Sequence, residues 1–317
     1  MGSPENSERD ETLMYASPLR YPGGKGKLAP FIMLSIERNG LLDGEYVEPY
    51  AGGAAIAFSL LFREYVTDVH INDINVLIHA FWHSVLHDTE GLCRLIHDAP
   101  VNMETWQEQR EIRNSPRSHS PLELGFSTFF LNRTTRSGIL DGGVIGGKNQ
   151  DGFWKLDARF NKQDLTSRIK KIARYSDCIH LYNLDAAKFI RKILPRLPKK
   201  TLVYLDPPYY AKGKDLYENH YKPQDHVAIA KIVSTQIKHK WIVSYDNVPA
   251  IEELYLGHRR ITYNLSYSAA ARYSGAEIMI FSDDLVIPDV AQPARLILKE
   301  GIIRQNNKKA VYANTCF

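Results

Sequence analysis

The stretch EYVEPYAGGAAIAF, residues 45–58, passes from a β-rich run through a proline and two glycines into small and apolar residues. It reads as strand, tight turn and helix. Gly52 and Gly53 let a ligand approach the backbone where a Cβ would collide, and in open α/β sheets ligands bind outside the carboxyl ends of strands. The next β-rich run ends in INDIN, residues 71–75. Its Asp73 stands either where such folds set a carboxylate against ribose hydroxyls or at the N-cap of the following helix. Together the turn and the acid point to a nucleoside-containing cofactor.

Working outward, short β-rich runs alternate with helical patterns, which argues for a parallel sheet covered by helices. The strands are expected at Glu45–Glu48, Val69–Asn72, Cys178–Tyr182, Leu202–Leu205, Trp241–Ser244, Arg259–Asn264 and Glu277–Phe281. The last two are joined too closely for a helical crossover, so the final strand is expected to run antiparallel. About a hundred residues separate the second run from the third, where a crossover needs only a dozen plus a helix. Helical patterns at Val76–Leu86, Glu90–Asp98, Met103–Asn114 and Pro121–Asn132 fill the first half of that interval, followed by the glycine-rich GILDGGVIGG, residues 138–147, a hairpin or flexible loop. The economical reading is a sheet domain, 15–75 and 176–287, with an inserted helical and hairpin domain at 76–175. Residues 1–14 are expected to be disordered, and the tail 288–317 has no evident place in the sheet.

The run LVYLDPPYY, residues 202–210, ends a strand on a carboxylate and two prolines, neither of which has a backbone donor. An exocyclic amino group is a poor nucleophile because its lone pair is conjugated. Acceptors that engage both N–H bonds pull it toward tetrahedral geometry, and Asp206 with the Pro207 carbonyl can be such a pair, held by the rigidity of Pro207-Pro208. Tyr209 offers a ring on which a flipped-out base can stack. Upstream, RYPGGKGKL, residues 20–28, fails the phosphate-loop template, since Leu28 follows Lys27 where Ser or Thr is needed. It reads better as a glycine turn capping a helix, with Lys25 directed to a carboxylate ligand.

These segments resemble, in order, the motifs of the Dam-like, α-group DNA adenine-N6 methyltransferases, over residues 17–287. YPGGK, residues 21–25, resembles the N-terminal cofactor motif; EPYAGG, residues 48–53, the glycine-loop motif; and DPPY, residues 206–209, the catalytic motif. The resemblance implies a seven-stranded, mostly parallel Rossmann-like methyltransferase sheet and S-adenosylmethionine as cofactor, with no metal. It assigns cofactor binding to Tyr21, Gly23, Lys25, Glu48, Gly52, Asp73, Asp185 and Asp206, and catalysis to Asp206, Pro207, Pro208 and Tyr209. The insertion is similar to the family's target-recognition domain, with Asn132, Arg133, Arg136, Ser137, Asp141 and Lys148 as DNA contacts. Family members that read GATC tend to carry Asn-Gly-Leu-x-Arg where this chain has Ser137-Gly-Ile-Leu-Asp141. Aspartate cannot donate to guanine but can accept from a cytosine amino group, which argues against a GATC target. Double-stranded DNA is the implied partner, bound by a monomer, and a cognate restriction endonuclease is a second partner the family admits. The same acceptor logic serves cytosine N4, an RNA adenine, or, with activity lost, a DNA-binding homologue.

The rest of the chain sets bounds. With 44% hydrophobic and 24% charged residues among 317, it is of ordinary globular composition. Its net charge of +4 identifies no partner, although Lys and Arg recur between residues 110 and 171. No run is long and apolar enough for a membrane span or a signal peptide, so a cytoplasmic location, in a prokaryotic nucleoid or a phage-infected cell, is expected. Cys93, Cys178 and Cys316 are too scattered to suggest zinc or a disulfide framework. His79, His83 and His87 share a helix face, read as polar surface rather than as a metal site.

Overall fold

The computed structural model describes residues 16–20, 25–211, 221–268 and 272–298. The expected disordered terminus, Tyr21 and Gly23 lie outside these residues. A seven-stranded sheet forms the centre, from β1 (Gly44–Glu48), β2 (Val66–Asn72), β3 (Ile179–Tyr182), β4 (Thr201–Leu205), β5 (Lys240–Asp246), β6 (Arg259–Ser268) and β7 (Arg272–Phe281), in the order β3-β2-β1-β4-β5-β7-β6. The first five run parallel, and β7 is antiparallel to both β5 and β6. The chain moves outward from β1 to β3 and then returns to lay β4 on the other side of β1. That reversal opens a crevice at the carboxyl ends of β1 and β4, which are Glu48 and, one residue past the strand end, Asp206.

The strands alternate between two apolar layers, as a sheet buried on both faces must. Leu202 and Tyr204 of β4 join Tyr46, Ile71, Ile242 and Met279 on one face. Val203 and Leu205 join Val47, Val243, Ile278 and Ile280 on the other. The first layer is covered by α1 (Ala29–Arg38) and α2 (Ala55–Phe62), the second by α8 (Ala186–Lys192), α9 (Pro223–Gln236) and α10 (Pro249–Leu254). Burying a large apolar side chain contributes roughly 1.5–3 kcal/mol, and fully buried Phe31, Phe58 and Phe281 anchor the first layer.

Between β2 and β3 lie α3 (Val76–His87), α4 (Thr89–Asp98), α5 (Met103–Asn114), α6 (Pro121–Thr134) and α7 (Lys162–Ala173). Helix α6 begins with a reciprocal cap: Ser120 Oγ accepts from the Glu123 amide (3.2 Å) while Glu123 Oε2 accepts from the Ser120 amide (2.8 Å). It is buried from Leu124 to Asn132 because α3, α4 and α5 pack around it. Gly125 lets it cross close to α3, since a Cβ there would collide with Ser84 Oγ and with the Ala80 carbonyl. One core runs without a break from the sheet into the insertion: Trp82 of α3 packs 5.0 Å from Phe58 of α2, and Phe81 stacks 5.9 Å from Phe129 of α6.

One feature departs from the sequence reading. Helix α7 is additional, an amphipathic helix capped by Asn161 that buries Leu165, Ile169 and Ile172. The tail beyond residue 288 adds no strand to the sheet, and Val290, Ala294, Leu296 and Leu298 pack on the first layer. Cys93 is a buried free thiol. The glycine-rich segment 138–147 is a tight loop closed by one antiparallel bridge, Thr135 to Val144.

Candidate active site

Strand β4 is buried along its whole length, and the two prolines stop it at the crevice. Asp206 emerges there with its side chain 21% exposed. Its Oδ1 accepts from Lys25 Nζ (2.9 Å) and Ser244 Oγ (3.0 Å), and no described donor engages Oδ2. Ser244 is held in turn by the Tyr204 hydroxyl at 2.7 Å. The turn that follows is clamped from β5: Asp246 accepts the Tyr210 amide on Oδ1 (2.8 Å) and the Ala211 amide on Oδ2 (2.9 Å). Tyr210 packs its ring 5.0 Å from His226.

Beneath Asp206 lies a group the sequence reading missed. Glu277 of β7 is 1% exposed, and its carboxylate accepts from Tyr209 (2.6 Å) and Tyr263 (3.2 Å) and lies 3.4 Å from Lys25 Nζ. Lys25 also donates to the Tyr209 hydroxyl at 2.9 Å. Burial opposes the lysine's charge, but Asp206 and Glu277 outweigh it and hold its pKa well above the ordinary lysine value. Burial pushes Glu277 up, with Lys25 opposing and Asp206 adding to the rise. The sequence signal was a single glutamate opening the apolar run EIMIF, residues 277–281. Tyr209 is only 3% exposed, with Lys25 Nζ 4.7 Å from its ring centroid. The ring expected to stack on a base is here enclosed, and its hydroxyl links Lys25 to Glu277.

At the end of β1, Glu48 is 5% exposed and its Oε1 accepts from Tyr46 (3.1 Å) and the Ala57 amide (3.2 Å). Burial pushes this carboxyl up to about 8 against those hydrogen bonds, with Asp206 adding repulsion. The turn above it needs left-handed backbone at Gly52 (φ 47°) and Ala54 (φ 48°). Asp73 closes the turn: its Oδ2 accepts the Gly52 amide (3.0 Å) and its Oδ1 the Asn75 amide (2.9 Å). Burial pushes Asp73 up to about 6, against those two bonds. The helix cap is Asn75, which accepts from the Leu77 amide, so of the two readings of Asp73 the cap falls away. Trp82 donates to the Gly52 carbonyl at 2.9 Å. Asn72, 1% exposed, ties three strand ends together through Pro49 and Leu184. Asp185 is exposed and caps α8 through the Lys188 amide (3.1 Å), while Asn183 beside it donates to the Asp73 carbonyl (2.7 Å).

The residues assigned to DNA contact divide. Asn132 is 1% exposed, and its amide is committed to backbone: Oδ1 accepts the Arg20 amide, and Nδ2 donates to the carbonyls of Arg20 and Gly138. It shapes the loop from within, which corrects its expected place on the DNA-facing surface. Arg133 is partly buried, donating to the carbonyls of Arg159 (2.7 Å) and Pro18 (3.4 Å). Arg136 and Lys148 are exposed, Ser137 turns the chain with φ 58°, and Asp141 is 57% exposed and paired with buried Arg113. Arg136, Asp141 and Lys148 line one cavity of about 280 Å³ with Trp106 and Arg110. Among the described residues no group of three or more His, Cys, Asp or Glu side chains could hold a metal ion, and no helix is long and apolar enough to cross a membrane.

The sequence profile of the D12 class N6 adenine-specific DNA methyltransferases matches residues 21–269. No curated protein matches the chain. Among solved structures, the rRNA methyltransferase AviRa from Streptomyces viridochromogenes is similar at 13% identity and a TM-score of 0.33, covering 80% of this chain and 85% of that one. A putative class I S-adenosylmethionine-dependent methyltransferase from Listeria monocytogenes is similar at 9% identity and a TM-score of 0.36, over 84% of this chain and 63% of that one.

Proposed function

The chain belongs to the D12 class of N6 adenine-specific DNA methyltransferases, and from that premise we propose that it methylates N6 of an adenine turned out of duplex DNA into the crevice between β1 and β4. The observation that carries the reading is the half-committed carboxylate of Asp206: one oxygen is fixed by Lys25 and Ser244, and the other has no described donor.

The donor set fits S-adenosylmethionine. Three carboxylates, Glu48, Asp73 and Asp206, gather at one sheet edge, and burial holds the first two well above ordinary values. Such a cluster is relieved by a cation and by hydroxyl donors, which a sulfonium amino acid joined to a ribose provides. Glu48 and Gly52 would border the methionine and ribose, Asp73 would take the ribose diol, and Asp185 would stand at the adenine end. The chemistry the cofactor supplies when bound is an electrophilic methyl group on sulfur.

Asp206 Oδ2 accepts one N–H of the target amino group and the Pro207 carbonyl accepts the other, drawing the nitrogen toward tetrahedral geometry and freeing its lone pair. This is electrostatic preorganisation, and a donor or acceptor of that kind contributes about 10²–10³ in rate. Ser244, Asp246 and the Lys25–Tyr209–Glu277 chain act as positioning residues, since they fix the carboxylate and the proline turn. The proton left on N6 departs to solvent. Turning a base out of the duplex costs a few kcal/mol, recovered in the pocket. Recognition falls to the insertion, residues 76–175, through Arg136, Ser137, Asp141 and Lys148.

Incubation of the purified protein with methyl-labelled S-adenosylmethionine and unmethylated plasmid, followed by digestion to nucleosides, tests the reading. N6-methyldeoxyadenosine is expected. Label confined to cytosine, or no label in DNA at all, overturns it.

A further inference from the structure

Methyl transfer to an amino group frees one proton, and the groups behind Asp206 are arranged to take one. Lys25, Tyr204, Tyr209, Tyr263 and Glu277 are all buried, and Asp206 is the member of this set that opens on the crevice. Asp206 and Glu277 lie 2.9 and 3.4 Å from Lys25 Nζ. With both acids ionised, two carboxylates face one ammonium and the trio carries one net negative charge. An uncompensated buried charge is costly, and a single added proton removes it. Asp246, the register partner of Glu277 on β5, is engaged elsewhere, by the Tyr210 and Ala211 amides.

Tyr209 joins the two ends of the trio. Its hydroxyl accepts from Lys25 at 2.9 Å and donates to Glu277 Oε1 at 2.6 Å, both shorter than the direct 3.4 Å contact between lysine and glutamate. Tyr263 donates to the other oxygen, Oε2, at 3.2 Å. Burial raises the affinity of Glu277 for a proton. The path therefore runs inward from the crevice and ends on an acid shut away from water.

We propose that Glu277 receives the proton shed by N6 and holds it until the products leave. This rests on the methyltransferase reading and deepens it. One N–H bond of the methylated amino group breaks, Asp206 takes the proton on Oδ2, and a half-turn of its carboxyl presents it to Lys25. Lys25 gives one of its own protons to the Tyr209 hydroxyl, which gives its proton to Glu277 Oε1. The proton from Asp206 restores the ammonium. Asp206 ends ionised, Tyr209 neutral and Glu277 a carboxylic acid, so one N–H bond has been exchanged for one O–H bond. S-adenosylmethionine carries a positive sulfonium and its demethylated product is neutral, so a proton kept on Glu277 leaves the charge of the closed site unchanged. Once the products dissociate, Asp206 meets water and the proton returns outward by the same path.

The test times the proton against the methyl. The full chain, in excess and loaded with S-adenosylmethionine, is mixed near pH 8 with unmethylated plasmid in weak buffer containing a pH indicator, while quenched samples give methyl incorporation. The same mixing with S-adenosylhomocysteine subtracts proton changes due to binding alone. In the wild type the proton is expected after the methyl, one per methyl, at the slower rate of product release. In Glu277→Gln and Tyr209→Phe, which break the path at its end and at its middle, proton and methyl are expected together; thermal melts verify that both variants are folded. Simultaneous release in the wild type, or a lag that survives in both variants, overturns the relay. A second readout needs no turnover. An acid with a raised folded-state pKa loses its stabilising contribution as pH rises through that value, so urea unfolding should show a shallower decline with pH in Glu277→Gln than in the wild type. Equal slopes overturn the relay, and these slopes with the wild-type trace decide if a variant transfers too slowly to time. If the wild type methylates DNA without a lag, only the relay fails. If the slopes differ as expected but no methyl is incorporated, the enzymatic reading fails while the proton capacity of Glu277 stands.

Discussion

Replacing Lys25 by methionine removes the cation beneath Asp206 while keeping most of the side chain's length. The lysine side chain is 2% exposed and lies 2.9 Å from Asp206 and 3.4 Å from Glu277, whose side chain is 1% exposed. Methionine fills the channel with little packing loss, because it is unbranched and adaptable. What remains is two carboxylates facing each other without a counter-ion. Taking one partner from a buried pair costs about 3–5 kcal/mol. The cost depends on pH with a definite sign. Burial already raises the Glu277 pKa, with Lys25 holding it down, so losing the lysine raises it further. An acid with a raised folded-state pKa contributes stability at low pH and loses it as pH rises through the folded value. The deficit of Lys25→Met should thus be larger near pH 8 than near pH 5. Urea unfolding at both conditions, compared at equal m-values, gives it directly. A cost below about 1 kcal/mol, typical of exposed pairs, or a deficit that shrinks toward high pH would refute the buried-counter-ion account.

Glu48 titrates at about 8 in the folded protein against an ordinary 4.5, so wild-type stability should decline as pH rises between those values. Glu48→Gln, whose Oε1 can still accept from Tyr46 and Ala57, should flatten that decline in melts taken across the range. Gly125→Ala places a methyl against Ser84 and 2.7 Å from the Ala80 carbonyl, forcing α3 from α6; a loss of about 1–3 kcal/mol in thermal unfolding is expected. Asn132→Leu strands the Arg20 amide and the Arg20 and Gly138 carbonyls. At about 1–3 kcal/mol for each unsatisfied group, the loop 136–148 should loosen, and faster limited proteolysis there would report it.

Much of this architecture is written in local patterns. The seven strands lie within a few residues of their expected places, because alternation and the glycine turn at Gly52 are properties of short windows. The DPPY segment announced its own strand end through proline chemistry. What stayed hidden is pairing at a distance. Lys25 meets Tyr209 across 184 positions, and nothing near either residue names the other. Glu277 is, in the sequence, only the first residue of an expected strand; β7 lies between β5 and β6, and the carboxylate meets Lys25, Tyr209 and Tyr263. Asp246 ends β5, and the proline turn that follows neighbouring β4 uses both its oxygens. Asn132 shows the converse: its motif position suggested a surface role, and only the packing of Arg20 across it reveals a buried one.

The central claim is that Asp206, fixed on one oxygen and open on the other, activates an adenine amino group. Asp206→Asn keeps the shape and its Oδ1 still accepts from Ser244, and a single cooperative urea transition, even at a lower midpoint, verifies that the variant is folded. Label transfer from S-adenosylmethionine to unmethylated duplex DNA is then compared between the two under single-turnover conditions. The account predicts methylated adenine from the wild type and a rate lower by about 10²-fold or more in the variant. A folded Asp206→Asn protein that transfers methyl at close to the wild-type rate would contradict it.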